Sequence, residues 1–113
     1  MYNPPARMVP EWVQREIERE VREATEKQLR VDYGIDPKTQ VLIIAVPTAH
    51  GWVEVRAFGN TYPHRDELRR RGFRWDGRRG MWAAWSNQVN IAGLDPRIFV
   101  KKEPVKESTI WKR

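Results

Sequence analysis

The residues of this chain best suited to chemistry are aromatic and basic, and they crowd into one stretch, FGNTYPHRDELRRRGFRWDGRRGMWAAW, from Phe58 to Trp85. Tryptophan, tyrosine and phenylalanine offer flat faces on which any nucleobase stacks, at about 1–3 kcal/mol per base. Arginine adds a planar, permanently charged fork that pairs with phosphate and also stacks. Residues 65–79 hold Arg65, Arg69, Arg70, Arg71, Arg74, Arg78 and Arg79 against Asp66, Glu67 and Asp76. The chemistry open to such a set is the binding of a polyanion whose bases are free to stack, that is, a single-stranded nucleic acid. A duplex reader is expected to carry a recognition helix with base-reading side chains. The one short helix in this stretch is too brief and too uniformly arginine-rich for that.

Catalytic groups are sparse. There is no cysteine, which removes thiolate chemistry, disulfides and cysteine-based metal sites. Of the two histidines, His50 falls in a loop and His64 stands beside Arg65, Asp66 and Glu67. His64, Asp66 and Glu67 read as residues of a helix start rather than as an acid/base or metal cluster. Gly77-Arg78-Arg79-Gly80 could cradle a phosphate, but it lacks the lysine and following helix of a nucleotide-binding loop. The expectation is therefore a non-enzymatic protein with no catalytic residues, no metal, no cofactor and no small-molecule substrate.

Charge and size agree with a binding role. The net charge is +6, and the excess is concentrated in residues 65–79 and in residues 101–113, where five basic groups face two acidic ones. Such a concentration favours polyanions; its plainer reading is a solvated basic loop and tail. At 113 residues the chain reads as one domain. A folded centre of about 60 residues buries only about 60% of its unfolded surface, so self-association as a dimer or tetramer is expected. No signal peptide or apolar run of membrane-spanning length is visible, which predicts a soluble cytoplasmic protein without a membrane partner.

The elements that must position these residues follow from periodicity and punctuation. Residues 1–10, with three prolines, read as an extended arm. From Glu11 to about Val31, Val13, Ile17, Val21 and Ala24 recur at helical spacing, and Glu11 with Arg15 opens a series of acidic-before-basic pairs four apart. Val41–Val46 is an unbroken apolar run and the most buried strand expected. Trp52–Phe58 alternates, so Val53, Val55 and Ala57 share one face while Trp52, Glu54, Arg56 and Phe58 share the other. If the aliphatic side meets the helices, the open side presents Trp52, Arg56 and Phe58 in line.

Pro63 and Gly72 bound a short helix over His64–Arg71, and Phe73–Trp75 pairs with Met81–Trp85 as a hairpin with Arg78 and Arg79 at its tip. Setting Trp75 opposite Met81 sends Phe73, Trp75, Met81, Ala83 and Trp85 to the core and leaves Arg74 and Trp82 outside. A slip of one residue exchanges Trp82 for Trp85; the first register is preferred because it buries the longer apolar set. Ile98–Val100 reads as a last strand, and the basic tail from Lys101 as mobile, with Ile110 and Trp111 able to dock. The fold class is α+β: a long amino-terminal helix packed on a four- to five-stranded, mostly antiparallel sheet with one short inserted helix. Residues 11–100 form the domain, between the arm of residues 1–10 and the tail of residues 101–113.

The amphipathic helix, the run VLIIAVPTAHGWVEVRAFGNTYP and the run GFRWDGRRGMWAAW together resemble the ThermoDBP family and its relatives, single-stranded DNA-binding proteins of hyperthermophilic archaea that lack the OB-fold. The resemblance covers roughly residues 11–100. It implies an antiparallel sheet backed by helices, DNA in a cleft lined by aromatic and basic residues, and self-association. At its motif positions it singles out Trp52, Arg56, Phe58, Tyr62, Trp75 and Trp82. With Arg65, Arg69, Arg74, Arg78 and Arg79 as phosphate contacts, these make up the expected nucleic-acid site. RNA is an alternative ligand, since stacking and phosphate contacts do not read the 2′-hydroxyl. A protein-interaction or targeting module of a DNA-processing assembly is the alternative function, because GNTYP and GFRWD resemble short modules found beside helicases. The fifteen arginines against six lysines fit a thermophile.

Overall fold

The computed structural model describes residues 11–112, without the side chains of Ile17, Glu18, Val21 and Lys112. The expected arm of residues 1–10 lies outside the described residues. The fold is α+β, built on a five-stranded open sheet. Helix α1 (Glu11–Tyr33) leads into β1 (Val41–Pro47) and β2 (Val53–Gly59). A 3₁₀ turn (Tyr62–His64) then runs into α2 (Arg65–Arg70), followed by β3 (Arg74–Asp76), β4 (Met81–Trp85) and β5 (Phe99–Lys102). The strand order is β3-β4-β2-β1-β5.

The sheet is mixed rather than mostly antiparallel. β1–β2, β2–β4 and β3–β4 pair antiparallel, but β5 joins β1 parallel, Val41 opposite Phe99. The reason lies in residues 86–98, which carry the chain from one side of the sheet to the other and so bring β5 in with the direction of β1. On the way Val89, Ile91, Leu94 and Ile98 pack onto the sheet.

Both faces of the sheet are covered at its centre. On one, Leu42, Ile44, Val46, Phe58 and Met81 meet Leu29, Tyr33 and Ile35 from the end of α1, and Ile110 from the carboxyl-terminal segment. On the other, Val41, Ile43, Val55, Ala57 and Trp82 meet Leu68 of α2, Phe73, Leu94 and Phe99. The unbroken apolar run of β1 is what two-sided burial requires. The carboxyl-terminal segment is accordingly not a mobile tail. Ile110 and Ser108 are fully buried, the Tyr33 hydroxyl accepts the Val105 amide at 3.3 Å, and Gln28 donates to the Thr109 hydroxyl at 2.6 Å.

Helix α1 was expected to pack along the sheet, and only its last turns do. Glu11, Trp12, Arg15, Arg19, Glu20, Arg22, Glu23 and Ala24 are all exposed, while Leu29 and Tyr33 are buried. Ion pairs support the outlying turns, Glu11 with Arg15 at 2.6 Å as expected and Glu16 with Arg19 at 2.6 Å. Of the apolar stripe, Val13 is half-buried and Ala24 exposed, and the Ile17 and Val21 side chains lie outside the description.

The short helix ends as its sequence requires. The Phe73 amide donates to the Leu68 carbonyl at 3.0 Å and the Gly72 amide to the Arg69 carbonyl at 3.1 Å, a Schellman closure with Gly72 at φ +106°. Leu68 and Phe73 then meet in the core. Gly72 has a second reason to lack a side chain, since a Cβ there would stand 2.1 Å from the Gln88 carbonyl oxygen.

The hairpin adopts the slipped register. Trp75 pairs with Trp82 and Asp76 with Met81, so Trp82 lies in the core with 6% exposure and Trp85 is outside with 40%. The turn sets this alignment: the Asp76 carboxylate accepts the Arg78 and Arg79 amides at 3.0 and 3.2 Å, and its carbonyl accepts the Gly80 amide at 2.8 Å. Burying the longer apolar set was the wrong criterion because both faces are core. Trp82→Ala is expected to lower folding stability by about 3–5 kcal/mol, as for other buried aromatics, and Trp85→Ala by less than about 1 kcal/mol. Urea denaturation of the two variants checks this, and the reverse order of losses would refute the register.

Candidate nucleic-acid interface

The open face expected on β2 does not exist. Phe58 is 4% exposed, beneath α1, and Arg56 is equally buried. Strand alternation does place Glu54, Arg56 and Phe58 on one side, but that side is roofed by α1 and the carboxyl-terminal segment. Arg56 is an internal tie: its Nε donates to Glu54 at 2.7 Å and its Nη1 to the Ile110 and Trp111 carbonyls at 3.2 and 2.8 Å. Arg56, Phe58 and Trp82 are thus withdrawn from any ligand.

Arg79 is also committed. Its two terminal nitrogens each donate to a Glu54 oxygen at 2.8 Å, and its Nε donates to Asp76 at 2.6 Å. Glu54 therefore holds two arginines at once. These bonds, those from Arg79 first, keep the Glu54 carboxyl below the usual carboxylate range against the opposing effect of burial. Asp76 is lowered by the same Arg79 side chain and by the amides of the turn.

Around α2, Arg65 lies over the ring of exposed Tyr62 at 4.2 Å and donates to the Tyr62 carbonyl at 2.8 Å. Arg69 reaches over the ring of Trp82 at 5.5 Å and pairs with Asp66 at 3.4 Å. The acidic residues of this helix are paired with its own arginines, Asp66 with Arg69 and Glu67 with both Arg70 and Arg71, while His64 packs edge-on against Phe99 at 5.2 Å.

What the structure brings together instead is a perimeter of exposed aromatics around an open groove of about 730 Å³. Arg74, Trp75, Arg78, Ala83, Trp85 and Gln88 line it, with the Arg79–Glu54–Asp76 network at its base. Trp75 is 55% exposed on edge strand β3, its ring set against buried Trp82 at 5.7 Å. At the far end Trp85 meets Trp52, itself 57% exposed, with ring centroids 6.2 Å apart. Trp75 and Arg78 also border a second cleft, of about 530 Å³, between α1 and the hairpin tip.

Among the described residues the Arg74 side chain donates only to the carbonyl of its neighbour Phe73, and Arg78 forms no ion pair. Since Arg79 is neutralised by Glu54 and Asp76, Arg74 and Arg78 carry the groove's surplus charge. Sequence reasoning ranked Trp85 as core; the signal for its exposure was Asp76, a side chain suited to close a turn on itself. Comparison of the chain with known protein families, with curated proteins and with solved structures finds no match.

The pH dependence follows from the two lowered carboxyls. A folded-state pKa below the unfolded one stabilises fully above the ordinary carboxylate range, about 4, and that contribution is lost as pH falls through the folded value. Stability is therefore expected to be level near neutrality and to fall as acid protonates Glu54 and Asp76. Glu54→Gln leaves Arg56 buried without its counter-charge and is expected to cost about 3 kcal/mol at neutral pH, with a shallower acid limb. Denaturation curves across pH check this; a neutral-pH stability equal to the parent's would sink it.

Proposed function

We propose that the protein is a non-enzymatic single-stranded DNA-binding protein that holds the strand along the groove bordered by Trp75, Trp85 and Trp52. The observation that carries this reading is the pairing of exposed, mutually supported aromatic rings with the two uncompensated arginines, Arg74 and Arg78. Along the hairpin Trp85 is followed by Arg74 opposite Ala83, Trp75 opposite Trp82 and Arg78 at the tip, so rings and cations alternate, as do the bases and phosphates of a strand. The resemblance of the amphipathic helix with the runs VLIIAVPTAHGWVEVRAFGNTYP and GFRWDGRRGMWAAW to ThermoDBP proteins supports the same reading. The site so revised keeps Trp52, Arg74, Trp75 and Arg78 from the sequence expectation and gains Trp85. Tyr62 with Arg65 offers a further exposed stacked pair beside α2.

Titration of the tryptophan fluorescence with an oligonucleotide tests the proposal. Trp52→Ala, Trp75→Ala and Trp85→Ala are each expected to weaken single-strand binding by about 1–3 kcal/mol. Arg78→Ala is expected to make the salt dependence shallower by about 0.7 in the log–log slope. Duplex of equal length binding as well as the single strand would overturn the reading. Matched DNA and RNA strands distinguish the two ligands.

Self-association belongs to the same proposal, with the outlying turns of α1 as the contact, since they expose Trp12 and carry half-buried Val13. Light scattering is expected to give a mass above 13.4 kDa; that monomer mass at every concentration would exclude it.

A further inference from the structure

We infer that the bound single strand does not end in the groove but turns over edge strand β3 at Trp75 and continues on the opposite face of the sheet along α2, where Arg69, Arg65 and Tyr62 hold it. This rests on the single-strand reading above and gives the path of the same ligand. Arg74 and Trp75 are adjacent on β3, so alternation sends their side chains to opposite faces. Arg74 stands opposite Ala83, which is also the partner of Arg56, and therefore on the groove side with Glu54 and Trp85. Trp75 stands opposite Trp82, which packs with Leu68 of α2 and with Phe73, and therefore on the α2 side. No strand lies beyond β3 in the sheet. Trp75 also borders the groove, so it marks the point at which a strand leaving Arg74 passes round the edge.

Beyond that edge rings and cations continue. Arg69 lies over the Trp82 ring at 5.5 Å, against the same ring that Trp75 meets at 5.7 Å. Arg65 is one helical turn from Arg69 and shares its face of α2. It lies over Tyr62 at 4.2 Å, and the Tyr62 ring is 74% exposed.

The charges along this row are accessible to phosphate. Arg65 forms no ion pair among the described residues. Arg69 meets Asp66 at 3.4 Å, but both side chains are exposed; such a pair is worth little, so a phosphate can take the guanidinium over. The other way out of the groove, the cleft between α1 and the hairpin tip, suits the ligand less. There Glu26 accompanies Arg22, and Phe58, the one aromatic besides Trp75, is buried.

The test uses the full chain with labelled oligo-dT of about 5 and about 16 nucleotides, within the range that single-strand-binding folds occupy. Tyr62→Ala is expected to weaken binding of the long strand about fivefold, the low end for one lost stacking contact. Arg65→Ala is expected to make the salt dependence of the long strand shallower by about 0.7 in the log–log slope. The short strand, seated in the groove, is expected to lose affinity in Trp85→Ala and not in these two variants, with unchanged melting temperatures excluding a folding effect. Long-strand binding indifferent to Tyr62→Ala and Arg65→Ala overturns the path and leaves the single-strand reading intact; a loss in Arg22→Ala instead would assign the exit to the cleft beside α1. Equal losses at both lengths overturn the path as well, because α2 would then belong to one short site. Failure of every strand to bind removes both inferences.

Discussion

The Glu54 carboxylate is the point through which three parts of the chain are joined. It lies near the start of β2 and accepts from Arg79 at the tip of the β3–β4 hairpin and from Arg56 two residues along its own strand. Arg56 in turn holds the Ile110 and Trp111 carbonyls of the carboxyl-terminal segment. Desolvating such charges is costly, and a buried ion pair is weak evidence for net stability. What it does impose is geometry, because a guanidinium that meets both carboxylate oxygens at once is fixed in position and plane as well as in charge. Slipping the hairpin by one residue would pull Arg79 off Glu54 and turn Trp82 out of the core.

That constraint explains why the tryptophans sit where they do. With the hairpin pinned, alternation sends Trp82 inward beside Phe73, and Trp85 falls beyond the roof formed by α1 and the carboxyl-terminal segment. Trp75 stands on the edge strand, and Trp52 just ahead of β2 meets Trp85. The core is completed by aliphatic residues of β1 and β2 with Leu29, Leu68, Phe73 and Ile110. The exposed tryptophans Trp52, Trp75 and Trp85 are thus not among the residues that fill either core cluster.

Much of the fold was legible in the sequence. The apolar run of β1, the alternation of β2, and the proline and glycine around α2 each act through local sterics, so the elements came out within a few residues of their bounds. The roofing of the β2 face was not legible. Glu54 and Arg56 two apart on a strand can mean a wet face or an internal ion pair, and the difference lies in a segment fifty residues away that looked too polar to pack. The parallel entry of β5 was hidden likewise, because residues 86–98 carry little periodicity. Of the expected site, Trp52, Arg74, Trp75 and Arg78 share the groove and its margin. Arg56, Phe58, Arg79 and Trp82 were drawn inward by the network around Glu54, and Trp85 came out by the same shift.

The two edges of the sheet bear on the kind of ligand that fits. β3 is three residues long, its centre is occupied by Trp75, and Arg74 and Asp76 flank that residue. At the opposite edge β5 is four residues and ends in exposed Lys101 and Lys102. Short, charged edges discourage addition of another strand, so a partner recognised through backbone pairing gains little at either side. The rings and guanidinium groups beside β3 project away from the strand direction and form their contacts without a backbone ladder. A ligand held there must supply flat faces and negative charge of its own, and a single-stranded nucleic acid supplies both at every residue.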